Sequence, residues 1–183
     1  LINSPNNPSG VIYSKTELKQ LAEILEKANK KYNRPIFLVS DEPYRFLTFD
    51  QEKPVSVFKL YRYSVVVSSF SKNLALAGER IGYVAINPTL EGREELMAGL
   101  IFSNRTLGYV NAPALGQMLI TACVEKADKL AEEQYEVYAE RRKIMAEILT
   151  EAGIEFQLPA GTFYFFPKVP KEYDDISFVQ KLQ

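Results

Sequence analysis

Histidine and tryptophan are absent from this sequence of 183 residues, and cysteine occurs once, as Cys123. Without histidine, the Ser-His and Cys-His pairs of many nucleophilic enzymes are excluded, and a zinc site is disfavoured. A single cysteine excludes an internal disulfide and is typical of a reducing compartment, so we expect a cytoplasmic protein. Cys123 stands in an apolar helical stretch, which predicts a packing role rather than a reactive thiol.

Long apolar runs and clustered charge are missing as well. No stretch approaches the roughly 20 apolar residues of a membrane-spanning helix, and no signal peptide is visible, so we expect no membrane partner. The 22 basic and 23 acidic residues give a net charge of -1 and are spread through the helical stretches. Because nucleic-acid binding needs a clustered basic patch, this distribution argues against a nucleic-acid partner.

Apolar runs alternate with helical patterns in the first part of the chain. Residues 36–39, 65–67 and 81–86 lack polar alternation, which predicts strands buried on both faces, as in a parallel sheet between helices. Ser14 and Glu17 form a capping-box pattern before a helix whose apolar side chains recur at helical spacing. The sequence therefore predicts an α/β fold with a mostly parallel sheet layered between helices.

The later part of the chain has a long charged helix, which we expect to connect two units. The first unit is residues 1–130, and the second, residues 131–183, is the connector helix and the incomplete start of a smaller α+β domain. The predicted elements of the later part are helices at residues 91–103, 112–125, 128–152 and 176–182, a loop at 105–111, and strands at 154–158 and 162–166.

Polar side chains follow two of the predicted strands. Asp41 and Lys72 stand at strand carboxyl ends, where open α/β sheets bind ligands. A lysine at the mouth of an apolar strand can be desolvated enough to act as an amine, which is what condensation with an aldehyde requires. The serines beside Lys72, together with Arg80, provide groups that bind phosphate. An aldehyde that carries a phosphate describes pyridoxal 5'-phosphate (PLP).

Three motifs in order carry a family resemblance. Residues 69–83, Ser-Phe-Ser-Lys-Asn-Leu and onward to Gly82-Tyr83, resemble the lysine motif of class I and II (fold type I) PLP-dependent aminotransferases of the aspartate aminotransferase type. Residues 3–10, Asn-Ser-Pro-Asn-Asn-Pro-Ser-Gly, resemble that family's Asn-Pro-Thr/Ser-Gly loop, and residues 41–44, Asp-Glu-Pro-Tyr, its aspartate-to-tyrosine motif. The resemblance covers essentially the whole chain. Family members are considerably longer, so we expect an internal fragment, with residues 1–130 as the C-terminal portion of the large PLP-binding domain.

The resemblance implies two charged residues at the reacting end of the cofactor. Lys72 would form the Schiff base with PLP and then move the substrate Cα proton as a general acid-base. Asp41 would pair with the protonated pyridine nitrogen, which makes the ring an electron sink. A solvated surface lysine and a turn-capping aspartate are the structural alternatives. Strand alternation sends the neighbouring Glu42 to the opposite side, so it is given no role.

The resemblance also implies the remaining cofactor contacts. Asn7 and Tyr44 would donate hydrogen bonds to the ring phenolate oxygen, and Ser69 and Arg80 would bind the phosphate. Asn6 is the alternative register for the asparagine. The structural alternatives are a turn asparagine, an ordinary packed tyrosine, and an arginine in an exposed ion pair. Ser71 is one residue away from the position that the family uses.

Three further side chains remain open between a site role and a structural one. In the family, the loop that holds Arg105 and Tyr109 can reach a neighbouring subunit's active site, and a surface or packing role is the alternative. Phe163 would either line the substrate entrance or belong to a core strand.

The implied reaction is transfer of an amino group between an amino acid and a 2-oxo acid, in a homodimer of the full-length protein. A PLP-dependent C–S β-lyase, of the cystathionine β-lyase kind, or an aminocyclopropane-carboxylate-synthase-like enzyme is the alternative. A transcription regulator with an aminotransferase-like sensor domain is a third. The family's substrate-carboxylate arginine and its ring-stacking residue have no counterpart in these residues, so we expect this chain by itself to bind PLP weakly and to transaminate poorly.

Overall fold

A mixed four-stranded sheet forms the centre of the structure, a computed structural model that describes residues 1–49 and 53–183. Its strands are β1 (Ile2–Asn3), β2 (Leu38–Asp41), β3 (Ser64–Ser69) and β4 (Gly82–Ile86), and they follow one another across the sheet in that order. β1 pairs with β2 and β2 with β3 in parallel, whereas β4 runs antiparallel to β3. The predicted mostly parallel sheet is confirmed, with β4 as its antiparallel strand.

The first helix, α1 (Lys15–Tyr32), covers one face of this sheet. The predicted capping box is present: the Glu17 backbone N–H donates to Ser14 Oγ at 3.2 Å, and the Ser14 N–H donates to the Glu17 carboxylate at 2.8 Å. Ala22 packs into the core beneath the helix. The core is formed by α1, β2, β3 and the segment between β2 and β3. Its buried side chains are those of Ala22, Leu38, Val57, Tyr61 and Val66.

Asn87, which directly follows β4, is fully buried. The two hydrogens of Asn87 Nδ2 are shared among three acceptors, the carbonyl oxygens of Phe58 and Tyr61 at 3.1 and 3.0 Å and Ser64 Oγ at 3.1 Å. Its Oδ1 atom accepts from the backbone N–H of Thr89 at 3.0 Å. These bonds satisfy a buried amide that would otherwise carry a large desolvation cost, and they tie the end of β4 to the start of β3.

Five further α-helices lie in the described residues: α2 (Phe70–Asn73), α3 (Arg93–Thr106), α4 (Ala114–Cys123), α5 (Ala127–Glu151) and α6 (Asp175–Leu182). Residue 130, the predicted boundary, lies in the first turn of α5, and Gly153 follows α5 with φ 67°, as expected for a C′ glycine. Cys123 is half-buried at the end of α4. None of the helices in residues 1–49 and 53–183 is both long and apolar enough to cross a membrane.

The two strands predicted after α5 are wrong, because residues 154–158 and 162–166 form no strand. The backbone hydrogen bond beside them runs from Lys168 N–H, two residues beyond the second segment, to the Glu155 carbonyl at 2.8 Å, and one such bond is too little for a ladder. The backbone of the intervening turn bonds elsewhere: Gly161 forms an isolated antiparallel bridge with Thr48. The turn therefore attaches to the loop after β2.

Candidate active site

Asp41 is the last residue of β2 and its carboxylate is half-buried at the carboxyl edge of the sheet. The parallel register places Asn3 beside it, and Asn3 Nδ2 donates to Asp41 Oδ2 at 3.2 Å and to its carbonyl oxygen at 3.1 Å. Burial raises the pKa of Asp41, and the hydrogen bond from Asn3 offsets part of that rise. A half-buried carboxylate of this kind gains from a cationic partner.

Glu42 faces the other way, as strand alternation predicts. Its buried carboxylate accepts from Ser40 Oγ at 2.8 Å and forms an ion pair with Arg45 Nη1 at 3.0 Å. Since Ser40 and Glu42 contact each other, they share one side of the strand, whereas Asp41 contacts Asn3. The two consecutive carboxylates therefore have separate surroundings. Glu42 is neutralised by Arg45, whereas Asp41 has no ion pair among the described residues.

Tyr44 is buried and brings together the predicted loop asparagine and a residue from the far end of the chain. Asn7 Nδ2 lies 3.5 Å from the Tyr44 hydroxyl oxygen, and the Tyr164 hydroxyl lies 3.0 Å from it. Burial raises the pKa of Tyr44, and the hydrogen bond with Tyr164 raises it further. Asn6 instead accepts from Ser9 Oγ at 2.6 Å within its own turn, so Asn7 is the asparagine of this pair that lies beside Tyr44.

Lys72 lies in α2, the short helix that follows β3 directly, and is half-buried. Its Nζ atom is 5.6 Å from the centroid of the Phe163 ring, within the range of a cation–π contact. Phe163 also meets the Tyr44 ring edge-to-face at 5.3 Å and stacks on Tyr138 of α5 at 5.1 Å. Lys72 and Tyr44 therefore contact the same aromatic ring, so the lysine and the Asp41–Tyr44 loop lie on one side of the protein.

The predicted phosphate ligands lie at the β3–β4 connection. Ser69 ends β3, where it pairs with Gly82 of β4. Arg80 is exposed, adopts a left-handed backbone conformation with φ 52°, and donates from Nη1 to the Ala77 carbonyl at 2.8 Å. Ser71 lies within α2, beside Lys72. The phosphate role of Ser69 and Arg80 stays a prediction.

The two residues expected in a loop differ in their surroundings. Arg105 belongs to the last turn of α3, so the predicted loop at 105–111 is wrong at its start. Tyr109 does lie in the loop between α3 and α4, where its side chain is exposed and its backbone N–H donates to the Asn104 carbonyl at 2.9 Å. Neither side chain reaches the cluster around Lys72 in the part of the chain that the structure describes.

Comparison with known proteins decides the family. A family model described as "Aminotransferase class I and II" matches residues 1–183. The chain belongs to this family. The probable aspartate aminotransferase of Methanocaldococcus jannaschii is 30% identical over 182 residues, which cover 100% of this chain and 46% of that protein.

Solved aminotransferases share the fold. An amino transferase from Eubacterium rectale matches with a TM-score of 0.80 at 39% identity, over 98% of this chain and 44% of that one. N-Succinyldiaminopimelate aminotransferase from Mycobacterium tuberculosis matches with a TM-score of 0.82 at 29% identity, over 97% of this chain and 44% of that one. This aminotransferase-family chain thus spans less than half the length of these relatives.

Three residues of the site were not predicted from the sequence: Asn3, Tyr138 and Tyr164. Asn3 could have been found, because a strand-end asparagine next to a strand-end aspartate follows once β1 and β2 are paired in parallel. Tyr138 lies in the long charged helix α5, and the helical pattern of that segment does not distinguish it from the other residues of the helix. Tyr164 lies 120 positions from Tyr44, and no local pattern reports so distant a contact.

The turn that delivers Phe163 and Tyr164 is fixed to the first part of this aminotransferase-family chain by its backbone. Gly161 N–H donates to the Gly10 carbonyl at 3.0 Å, and Thr162 N–H donates to the Leu47 carbonyl at 3.1 Å. A Cβ atom at Gly161 would lie 2.7 Å from Pro5 Cβ and 2.8 Å from the Leu47 carbonyl oxygen, closer than real Cβ contacts. Only glycine therefore fits between the two segments.

Replacing Gly161 by alanine is expected to lower the free energy of unfolding by about 1–3 kcal/mol, because the turn must move away from Pro5 and Leu47. Thermal or urea unfolding of the purified protein measures this. Gly99→Ala is the matched control: Gly99 lies inside α3 with open space around its Cβ position, so alanine there should stabilise by about 0.5–1 kcal/mol. Equal effects of the two substitutions would contradict the close packing at Gly161.

Proposed function

We propose that this chain is part of a PLP-dependent aminotransferase, which moves an amino group between an amino acid and a 2-oxo acid. The observation that carries the proposal is the meeting of Lys72 and Tyr44 on the Phe163 ring, at the sheet edge where Asp41 ends β2. A nucleophilic amine, a carboxylate and a buried phenol are the groups that family membership requires at such a site.

The residues present fit the cofactor. Asp41 has a half-buried carboxylate whose pKa burial raises, so a cationic ring nitrogen would supply the charge that it lacks. Tyr44 and Asn7 would provide hydrogen bonds to the ring oxygen, and Ser69 and Arg80 would hold the phosphate. When bound, PLP supplies an aldehyde that condenses with a lysine amine and an electron-withdrawing ring that stabilises negative charge at the substrate Cα.

The chain's own residues then have separate tasks. Lys72 provides the amine, and, once released, it takes a proton from the substrate Cα and returns it elsewhere as a general acid-base. Phe163 packs beside Lys72 and Tyr138 stacks on Phe163, so the two rings would shield the amine from water. Asp41 would keep the ring nitrogen protonated, and the attraction between the two charges would increase as water is excluded.

Transfer is favoured over elimination by the proteins that this chain resembles, since the relatives named above are aminotransferases. The substrates would be an amino acid and a 2-oxo acid, and the full-length protein would act as a homodimer in the cytoplasm. Within it, residues 1–130 would belong to the large cofactor-binding domain, and residues 131–183 would begin the small one. A C–S β-lyase or an aminocyclopropane-carboxylate-synthase-like reaction is the second candidate only through shared motifs.

Spectroscopy of the full-length protein with PLP tests the proposal. An absorption band from the lysine-bound cofactor should form, should disappear on addition of an amino acid, and should return with a 2-oxo acid. Formation of a new amino acid identifies transfer. Release of ammonia and pyruvate from a sulfur amino acid would identify elimination instead, and absence of any cofactor band would reject the proposal altogether.

A further inference from the structure

The strongest unassigned contact of the candidate site is the hydroxyl pair of Tyr44 and Tyr164. The two hydroxyl oxygens are 3.0 Å apart, and the rings meet edge-to-face with centroids 5.7 Å apart. Tyr44 comes from the loop after β2, whereas Tyr164 comes from the turn after α5. The pair therefore joins the two units of the chain directly at the tyrosine that the proposed function places on the cofactor.

The direction of this hydrogen bond in the cofactor-bound protein follows from how many hydrogen bonds a phenol can donate and accept. A phenol donates one hydrogen bond and accepts two. Without the cofactor, Tyr44 can donate to Tyr164, the direction in which this bond raises the pKa of Tyr44. When Tyr44 instead donates its hydrogen bond to the cofactor ring oxygen, its own oxygen can only accept, and Asn7 Nδ2 and the Tyr164 O–H are the donors within reach. The Tyr164 contact is the shorter of the two. Donation from Tyr164 polarises the Tyr44 O–H and strengthens its bond to the ring oxygen.

The fold holds Tyr164 firmly enough for this task. Its backbone N–H donates to Thr162 Oγ1 at 3.2 Å, and Thr162 is fully buried. Thr162 in turn donates its N–H to the Leu47 carbonyl at 3.1 Å, three residues after Tyr44. The two tyrosines are thus carried by segments that are hydrogen-bonded to each other, which fixes the distance between their hydroxyl groups.

We propose that Tyr164 is a positioning residue that orients and polarises the Tyr44 hydroxyl, so that the segment after α5 tunes the cofactor. This inference rests on the proposed function. It predicts that loss of the Tyr164 hydroxyl weakens stabilisation of the ring oxygen. The lysine-bound cofactor should then lose its proton at a higher pH, because the ring oxygen becomes more basic and retains that proton more strongly.

The test is a pH titration of the bound cofactor's absorbance in the full-length protein, with wild type, Tyr164→Phe and Tyr173→Phe. Tyr164→Phe keeps the ring and should raise the midpoint by roughly 0.2–0.6 pH unit, as expected when one hydrogen bond of a chain is polarised by about 10–30%. Tyr173 is the matched control, since its exposed hydroxyl is bonded to Lys181 of α6 and its ring meets Phe178, neither of which belongs to the site, and its removal should leave the midpoint unchanged.

A double variant separates positioning from packing. In Tyr44→Phe the hydroxyl that Tyr164 polarises is gone, so adding Tyr164→Phe should produce no further shift. An additional shift in the double variant, an unchanged midpoint in Tyr164→Phe, or an equal shift in Tyr173→Phe would overturn the inference and leave the proposed function standing. A wild-type protein without a cofactor band would instead reject the proposed function.

Discussion

Replacement of Lys72 by arginine is expected to remove amino transfer, with kcat lowered by at least about 10²–10⁴-fold from the loss of proton transfer alone. Arginine keeps the positive charge and can keep the cation–π contact with Phe163, so the fold should persist. It cannot lose its proton in a protein, and it therefore provides neither a nucleophile for an aldehyde nor a base for the substrate Cα.

Two measurements check this expectation in the full-length protein. Steady-state assay of amino transfer gives kcat, and borohydride reduction followed by peptide mass spectrometry identifies the lysine that carries the cofactor. Lys168→Arg is the control, because Lys168 is an exposed lysine paired with Glu155 at 3.1 Å, and its replacement should leave both results unchanged. Cofactor attached to another lysine in wild type would refute the assignment of Lys72.

Residues at strand ends were predictable from the sequence because the reasoning is local. The apolar runs that end at Asp41 and before Lys72 are strands β2 and β3, and parallel pairing brings their carboxyl ends to one edge. Alternation along β2 likewise separates Asp41 from Glu42. These inferences need only the period of a strand and the direction of its neighbours, both of which the sequence carries.

Contacts between distant segments were not predictable in the same way. The aromatic run at residues 162–166 has strand composition, yet its backbone bonds to the loop around Leu47 and Thr48 rather than to residues 154–158. Propensity describes how a side chain fits a pleated surface and does not say which backbone will be its partner. Tyr164 could not be predicted for the same reason, because its proposed role depends on a hydroxyl group contributed by Tyr44, a distant residue.

Asp41 and Glu42 allow the site's electrostatics to be tested by neighbouring substitutions. Glu42 is buried, and the side chain of its ion-pair partner Arg45 is 37% exposed, so Glu42→Gln removes the charged acceptor of a half-buried ion pair. The remaining arginine charge is partly solvated, and the expected cost is the weakened charge-assisted hydrogen bond, about 1–3 kcal/mol. We expect Glu42→Gln to lower the melting temperature and to leave kcat of the folded protein unchanged, because its carboxylate lies on the opposite side of β2 from Asp41.

For Asp41→Asn we expect the reverse, a lower kcat with the fold retained. A full ion pair at about 3 Å and an effective dielectric near 20 is worth roughly 5 kcal/mol before desolvation, so loss of the ring-nitrogen partner should lower kcat by about 10³–10⁴-fold. Asparagine can still accept the hydrogen bond from Asn3, so the local geometry should be retained. Asp41→Glu keeps the charge, and a partial recovery of rate in that variant would show that charge is the deciding property.

Stability of the cofactor-free protein gives the second arm of the Asp41 test. Because burial raises the pKa of Asp41 in the folded state, its contribution to stability is fully present below the unfolded pKa and is lost as pH rises through the folded pKa. At neutral pH the charged carboxylate therefore disfavours folding, and Asp41→Asn should melt at the wild-type temperature or above it. Melting curves from pH 3 to pH 8 should show the stability difference between variant and wild type shifting in favour of the variant as pH rises. A variant that melts lower at neutral pH and keeps wild-type kcat would show that Asp41 stabilises the fold and does not serve the cofactor.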